Sequence, residues 1–320
     1  MGQTLLLVGL QWGDEGKGKV IDALCERFDV VIRFQGGANA GHTVHIGRQE
    51  FVLHLVPTGI LHPEALCIIG NGVVVDPPGL LKEIAGLRER GIKVAENLVV
   101  SDRAHVVLPH HKALDRAREA SRGKARIGTT GSGIGPCYAD KASRDGIRLA
   151  DMLEPELFRA RLGALMDRSN RILENVYGAE PLDCDAVYEE YRGHAEELRP
   201  HVQDTIPLVH GALNDGKNIL LEGAQGSLLD LDFGTYPFVT SSEVIGGAAV
   251  GTGIPPARID RVIGLAKAYC SRVGAGPFPT EQDNEVGETI RRTIERAGGR
   301  EYGATTGRQR RCGWLDGVAL

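Results

Sequence analysis

Asp14 and Lys17, near the amino end, are spaced to act on one anion, and Asn39 and His42 beyond the next apolar run could join them. The first pair lies in GLQWGDEGKGKVIDALCERF, residues 9–28, which follows the apolar run TLLLV at residues 4–8 and then turns to helical periodicity. Strand, glycine loop and helix in that order point backbone N–H groups at the start of a helix, where the dipole also favours negative charge, so phosphate is the natural occupant. The spacing departs from a standard P-loop: six residues rather than four separate Gly9 from Gly16-Lys17, and Gly18 stands where Ser or Thr would hold magnesium. Asp14 is the substitute, because a carboxylate beside phosphates can ligate Mg²⁺ or accept a substrate proton, while Lys17 neutralises phosphate charge. The bland alternative is a helix start with solvated charges.

Further glycine-rich loops carry the other candidates. DVVIRF at residues 29–34 reads as a strand running into QGGANAGHTV at residues 35–44, where Asn39, His42 and Thr43 are candidates and His42 can donate to a developing oxyanion or phosphoryl oxygen. Loops at the carboxyl ends of parallel strands gather on one side of a sheet, so this loop and the first could share a ligand. Residues 127–144 add Thr129, Thr130 and Ser132 among glycines, which suits phosphate or carboxylate; a flexible surface loop is the alternative. In EGAQGSLLDLDFGTYPFVTSS, residues 222–242, Gln225 suits a base edge because its amide both donates and accepts, and Thr240 is a candidate phosphate contact. Arg308, Arg310 and Arg311 beside Thr305, Thr306 and Gly307 form a basic loop suited to bidentate binding of carboxylate or phosphate. His45 and His54 read as structural, His110 and His111 as surface histidines.

The elements that must hold these loops follow from pattern. Residues 66–76 are expected to hold two strands around an Asn-Gly turn, with further strands at 97–100, 105–108, 218–221 and 261–269. Helices are expected at residues 77–90, 110–122 and 288–297. Two long amphipathic stretches, 154–174 and 183–199, predict a helix-rich insertion at about residues 110–205. No linker divides the chain, so the expectation is one α/β domain over residues 1–320 with a P-loop-NTPase-like, mostly parallel central sheet flanked by helices. At 42% hydrophobic and 25% charged residues the composition is that of an ordinary enzyme, and 42 acids against 37 Lys plus Arg, net −5, argue against a general nucleic-acid surface. Six scattered cysteines without a C-x-x-C pair read as core thiols. With neither a signal peptide nor a membrane-length apolar run, a cytoplasmic enzyme is expected.

Taken together the motifs resemble the adenylosuccinate synthetase family from end to end. The resemblance is carried by QWGDEGKGK at residues 11–19, QGGANAGHT at 35–43, IGTTGSGIGP at 127–136 and the 222–242 loop. RVGAGPFPTE at 272–281 and GATTGRQRRCGWLD at 303–316 complete it. It implies a homodimeric ligase of purine biosynthesis joining IMP and L-aspartate, with GTP as phosphoryl donor, through a 6-phosphoryl-IMP intermediate. Asp14 would take the N1 proton and His42 would stabilise the transferring group, with Lys17 and Gln225 also in the catalytic set. Mg²⁺ would be held by Asp14 and the carbonyl of Gly41. IMP contacts would come from Asn39, Thr130, Gln225, Thr240, Val273 and Arg308, and from Arg144 reaching the neighbouring subunit's site. GTP would meet Gly13, Glu15, Gly16, Lys17, Gly18, Lys19, Gly41, His42, Thr43 and Arg310. Aspartate would meet Thr305, Thr306, Gly307, Arg308 and Arg310.

Two departures bear on affinity: Ser132 replaces a basic residue common in the family, and Gln309 interrupts the arginine run. The family also continues beyond the GWLD segment into a guanine-reading region with a Lys-x-Asp motif. Without it, weak and poorly selective nucleotide binding is expected, as is exposed apolar surface. The alternatives are a nucleotide-binding fragment without ligase activity, a nucleotide-dependent switch, and an ATP-dependent carboxylate ligase or kinase of similar fold.

Overall fold

The short β-rich runs of the sequence become parallel strands because each is followed by a stretch long enough to cross back over the sheet. The computed structural model describes residues 2–299, 301–303 and 307–320. In chain order they form β1 (Thr4–Gly9), α1 (Lys17–Cys25), β2 (Val30–Arg33), the hairpin β3 (His42–Ile46) and β4 (Gln49–Leu53), β5 (Leu66–Ile69), β6 (Val74–Val75) and α2 (Pro77–Glu89). Then come β7 (Leu98–Ser101), β8 (His105–Val106), α3 (Pro109–Ser121), α4 (Ile134–Ser143), α5 (Leu149–Met152), α6 (Pro155–Tyr177), α7 (Cys184–Leu198) and β9 (Val202–Gln203). The last third holds α8 (Thr205–Asn214), β10 (Ile219–Glu222), α9 (Gly247–Thr252), β11 (Arg261–Leu265), β12 (Tyr269–Arg272), α10 (Glu285–Arg296) and β13 (Arg311–Trp314).

Seven of these strands make one parallel sheet in the order β11-β1-β10-β2-β5-β7-β9. Alternation along the strands divides the core in two. Leu5, Leu7, Val31, Cys67, Ile69 and Leu220 pack with Ile21 of α1, Leu80 of α2 and Phe158 of α6. Leu6, Val8, Val30, Ile32, Ile68 and Leu221 face the other way, onto Val209 and Leu213 of α8 and Ala248 of α9. Both faces are therefore covered by helices, as an all-parallel sheet requires. The helix-rich stretch from α3 to α7 returns to this sheet through β9, which pairs with β7 at the edge.

Two expectations are corrected. Residues 261–269 do not form one strand: β11 ends at Leu265, and the chain restarts at Tyr269 as β12, paired antiparallel with β13 in a separate two-stranded sheet. His110 and His111 are not on the surface but fully buried, because α3 packs that face against α4 and α6. The two strands around Asn71-Gly72 also part company: β5 stays in the main sheet, whereas β6 pairs with β8. The six cysteines are free thiols, five of them buried, and no described helix is long and apolar enough to cross a membrane.

Gly251 shows how tightly α9 is set against the sheet: a Cβ there would overlap the carbonyl oxygen of Phe34 just beyond β2. Gly251→Ala should lower stability by about 2–3 kcal/mol, since forced overpacking against backbone has no side chain to give way. Urea unfolding would show the loss, and an unchanged midpoint would mean that α9 is free to shift.

Candidate active site

The parallel register fixes which chain segments meet. Leu7 of β1 lies opposite Glu222 of β10, Glu222 lies opposite Arg33 of β2, and Gly9 lies opposite Leu265 of β11. The loops that leave these four strands therefore open on one edge of the sheet, which is where ligands bind in this architecture.

The first loop folds around Glu15. Its Oε1 accepts the N–H groups of Gln11 (3.0 Å) and Gly13 (2.9 Å), and its Oε2 lies 2.7 Å from Lys17 Nζ, with both side chains buried. The Glu15 carboxylate is thus turned inward, onto the loop's own N–H groups and Lys17. Lys17 is spoken for in the same way. Gly18 has no hydroxyl for a physical reason: a Cβ there would stand 2.9 Å from His42 Cβ, so the hairpin that brings His42 in occupies the room a Ser or Thr would need.

Asp14 points the other way. It holds a left-handed backbone (φ 63°), uncommon for a non-glycine residue, and its carboxylate is ion-paired with Arg310, accepting a hydrogen bond from Nη2 on Oδ1 at 2.8 Å with Nε 2.7 Å from Oδ2. Burial raises the Asp14 pKa above the ordinary carboxylate value, against the opposing pull of Arg310, Lys267 and Lys17. Arg310 in turn lies 3.5 Å from Glu301, which also accepts a hydrogen bond from Tyr269. The basic loop is therefore divided in its duties: Arg310 reaches Asp14, Arg308 donates to the Gly128 carbonyl at 2.7 Å, and Arg311 is held away on Glu281.

His42 is positioned from behind. Its Nδ1 lies 2.6 Å from Oε1 of Glu222, a fully buried carboxylate that also accepts the N–H of Thr58 (2.8 Å) and the Thr58 hydroxyl (3.0 Å). Burial alone would raise the Glu222 pKa, but the His42 hydrogen bond and charge, the Thr58 N–H and Arg33 outweigh it and hold it below its usual value. Gln225, also left-handed at φ 56°, is fixed by Gln35, whose Nε2 donates to Gln225 Oε1 at 3.0 Å, and it donates onward to Asn39 at 3.5 Å. Thr240 is held by its N–H on the Leu229 carbonyl at 2.8 Å, with its hydroxyl oxygen buried and without a partner among the described residues.

Other expected residues sit more openly. Lys19, Thr43, Thr130 and Gly307 are exposed, and no described contact ties them to Asp14. Thr130 bonds Ser132 at 2.9 Å, Val273 follows β12, and Arg144 is an exposed, left-handed cap on α4. Thr305 and Thr306 lie outside the described residues. Sequence reasoning missed Glu222, Gln35 and Lys267. Glu222 had a signal, a charge ending an apolar strand just before a glycine loop. Lys267 had none, and it enters the cleft because its N–H donates to Gln11 Oε1 at 3.1 Å.

His110, His111 and Asp140 are the one trio among the described residues with ligand atoms close enough for a metal ion. Hydrogen bonding argues against that use. The Leu108 N–H donates to His111 Nδ1 at 2.9 Å, which leaves the proton on Nε2, where it reaches Asp140 at 3.0 Å rather than leaving a lone pair for a cation. Burial, with His110 alongside, pushes His111 down to about 4, in keeping with a neutral structural imidazole.

This geometry of loops has known counterparts. The family model for adenylosuccinate synthetase matches residues 6–320. The chain belongs to the adenylosuccinate synthetase family. It is 56% identical to the adenylosuccinate synthetase of Moorella thermoacetica and 54% to that of Heliobacterium modesticaldum, in each case over 99% of this chain and 73% of the relative. A fully ligated adenylosuccinate synthetase from Plasmodium falciparum superposes with a TM-score of 0.89 at 40% identity, covering 98% of this chain and 72% of that one. A cyanophage S-2L succinoaminodeoxyadenylate synthetase bound to dGMP and dATP shares the fold, with a TM-score of 0.67 at 23% identity over 100% of this chain and 80% of that one. Membership makes the chain a ligase of purine biosynthesis, and the family's reaction is ligation of IMP with aspartate on the way to AMP.

A carboxyl group whose pKa is depressed by folding adds stability above its unfolded pKa, and that contribution is lost as pH falls through the folded value. Glu222→Gln should therefore cost about 3–5 kcal/mol near neutrality, as removal of one partner of a buried pair does, and the gap from wild type should narrow on acidification. Urea unfolding at pH 7 and near pH 4 measures both. A gap that does not change with pH would contradict the depressed Glu222.

Proposed function

We propose that this chain joins IMP and L-aspartate into adenylosuccinate with GTP as phosphoryl donor, by way of 6-phosphoryl-IMP. The observation that supports this most is the Asp14–Arg310 pair, a carboxylate of raised pKa held by a basic loop 296 residues away in sequence. A general base must be anionic yet willing to take a proton, and partial burial beside cations gives that balance. Asp14 accepts the N1 proton of the hypoxanthine ring, and electron density moves to O6, which attacks the γ-phosphorus of GTP as its bond to the bridging oxygen breaks and GDP leaves. His42, with Nδ1 committed to Glu222, presents Nε2, which donates to the transferring group when the ring is protonated. The amine of aspartate then attacks C6, the C6–O6 bond breaks, phosphate leaves and the amine loses its proton. Converting a carbonyl-type oxygen into a phosphate ester makes this departure feasible, and three ligands must be held together while it happens.

In this reading Gln225 and Asn39 read the base of IMP, and Thr130, Thr240 and Arg308 serve its phosphate and ribose side beside Val273. The unpartnered Thr240 hydroxyl is consistent with a ligand contact. The first loop, from Gly13 to Lys19, takes the GTP phosphates with Gly41, His42, Thr43 and Arg310. The loop containing Thr305, Thr306 and Gly307 takes aspartate with Arg308 and Arg310. Arg144, exposed at the end of α4, serves the neighbouring subunit of a cytoplasmic homodimer. Mg²⁺ fits the oxygen donors available, and the Asp14 carboxylate with the Gly41 carbonyl would hold it. When bound it neutralises charge on the phosphates.

Incubation with IMP, aspartate and GTP should produce the ultraviolet absorbance change of adenylosuccinate. Asp14→Asn should lower kcat by about 10²–10⁴-fold, the usual worth of a general base. Because the base must be deprotonated and its pKa is raised, the acidic limb of kcat/KM should lie above about 3.9, the ordinary aspartate value. An Asp14→Asn enzyme with wild-type turnover would rule the mechanism out, and turnover with ATP equal to that with GTP would remove the donor assignment.

A further inference from the structure

The loop of residues 127–133 is exposed over its middle and glycine-rich throughout, yet it is not slack. Both of its ends are tied to one helix. Glu119 of α3 accepts the N–H of Ile127 on Oε1 and the N–H of Gly128 on Oε2, each at 3.1 Å. Asp115, four residues earlier and buried, accepts the N–H of Gly133 at 3.0 Å, where the loop passes into α4. Two acids four apart on a helix face repel each other, a cost shared between the loop contacts and Arg122, whose Nη1 lies 3.2 Å from Glu119 Oε1. Between the two ties, the N–H groups of residues 129–132 have no acceptor among the described residues. Those N–H groups are left open on a loop whose two ends are already fixed, and successive unpaired N–H groups can serve an anion.

Gly128 is the joint. It sits in the left-handed region at φ 86°, its N–H is held by Glu119, and its carbonyl accepts from Arg308 at 2.7 Å. The two contacts lie on the successive peptide units that flank its Cα, so a displacement of this one residue would move the phosphate rim and Arg308 together. We propose that Glu119 and Asp115 are positioning residues for nucleotide binding, holding loop 127–133, and through Gly128 the Arg308 side chain, in the form that receives the phosphate of IMP. This rests on the reading of that loop as part of the IMP site. Neither carboxylate touches the ligand, since both are used on the loop's own N–H groups.

Steady-state kinetics on Glu119→Ala, Glu119→Gln and Asp115→Asn, with hydrogen–deuterium exchange on peptides covering residues 126–134, separates positioning from bulk structure. Glu119→Ala should raise the KM for IMP about tenfold, as expected for loss of hydrogen bonds to a charged acceptor, and leave the KM for GTP within about twofold. Glu119→Gln, which keeps one acceptor oxygen, should fall between Glu119→Ala and wild type, and Asp115→Asn, which keeps the acceptor for Gly133, should show the smallest effect. Exchange should quicken in the loop and not elsewhere. Faster loop exchange with an unchanged KM for IMP would overturn the proposal, as would equal rises in both KM values accompanied by a lowered Tm. A wild-type enzyme silent toward IMP, aspartate and GTP would bring down the reading of the loop, and the proposal with it, whatever the exchange rates.

Discussion

A buried carboxylate that faces no cleft, Glu222, sets the terms for the rest of the site. It ends β10, the strand inserted between β1 and β2, so its position is fixed by hydrogen-bonded neighbours on both sides. From there it takes His42 and both donors of Thr58, and it lies near Arg33, which is itself buried on the carbonyls of Gly37 and His54. An isolated charge in that place would be prohibitive, and only this full set of partners makes it tolerable. The consequence is a histidine ring with one nitrogen occupied and the other available to the cleft, at a sheet edge where the first glycine loop arrives.

Glu15 repeats the device one strand away. Its carboxylate closes the first loop on itself by taking two N–H groups and Lys17, and the turn that results throws Asp14 outward onto Arg310. On α3, Asp115 and Glu119 act on backbone N–H groups at both ends of a third loop. In each case an acidic side chain shapes a glycine-rich segment that has little side-chain packing of its own. Glycine gives the backbone its freedom, and a carboxylate removes it again at chosen atoms.

Much of the fold was readable because its strands are short, apolar and followed by helical periods, and the glycine loops fell where parallel strands end. The family could be named from motif order alone. What stayed hidden was decided by tertiary contact. His110 and His111 sit in a polar-looking segment, and only the packing of α3 against α4 and α6 buries them. The break after Leu265 was invisible because residues 266–268 continue the same local pattern, while β12 changes partner to β13. Lys267, Gln35 and Glu222 matter through atoms that lie far away in sequence, and no local spacing announces them.

The account stands on the claim that Glu222 orients His42 before any ligand binds. Nitrogen-15 NMR of histidine-labelled protein without ligands, assigned by a His42→Gln variant and recorded where the ring is neutral, reads the tautomer directly. The proton is predicted on Nδ1, with Nε2 unprotonated. A ring carrying its proton on Nε2 would show that Glu222 does not hold it, and the arrangement described for this site would not survive that result.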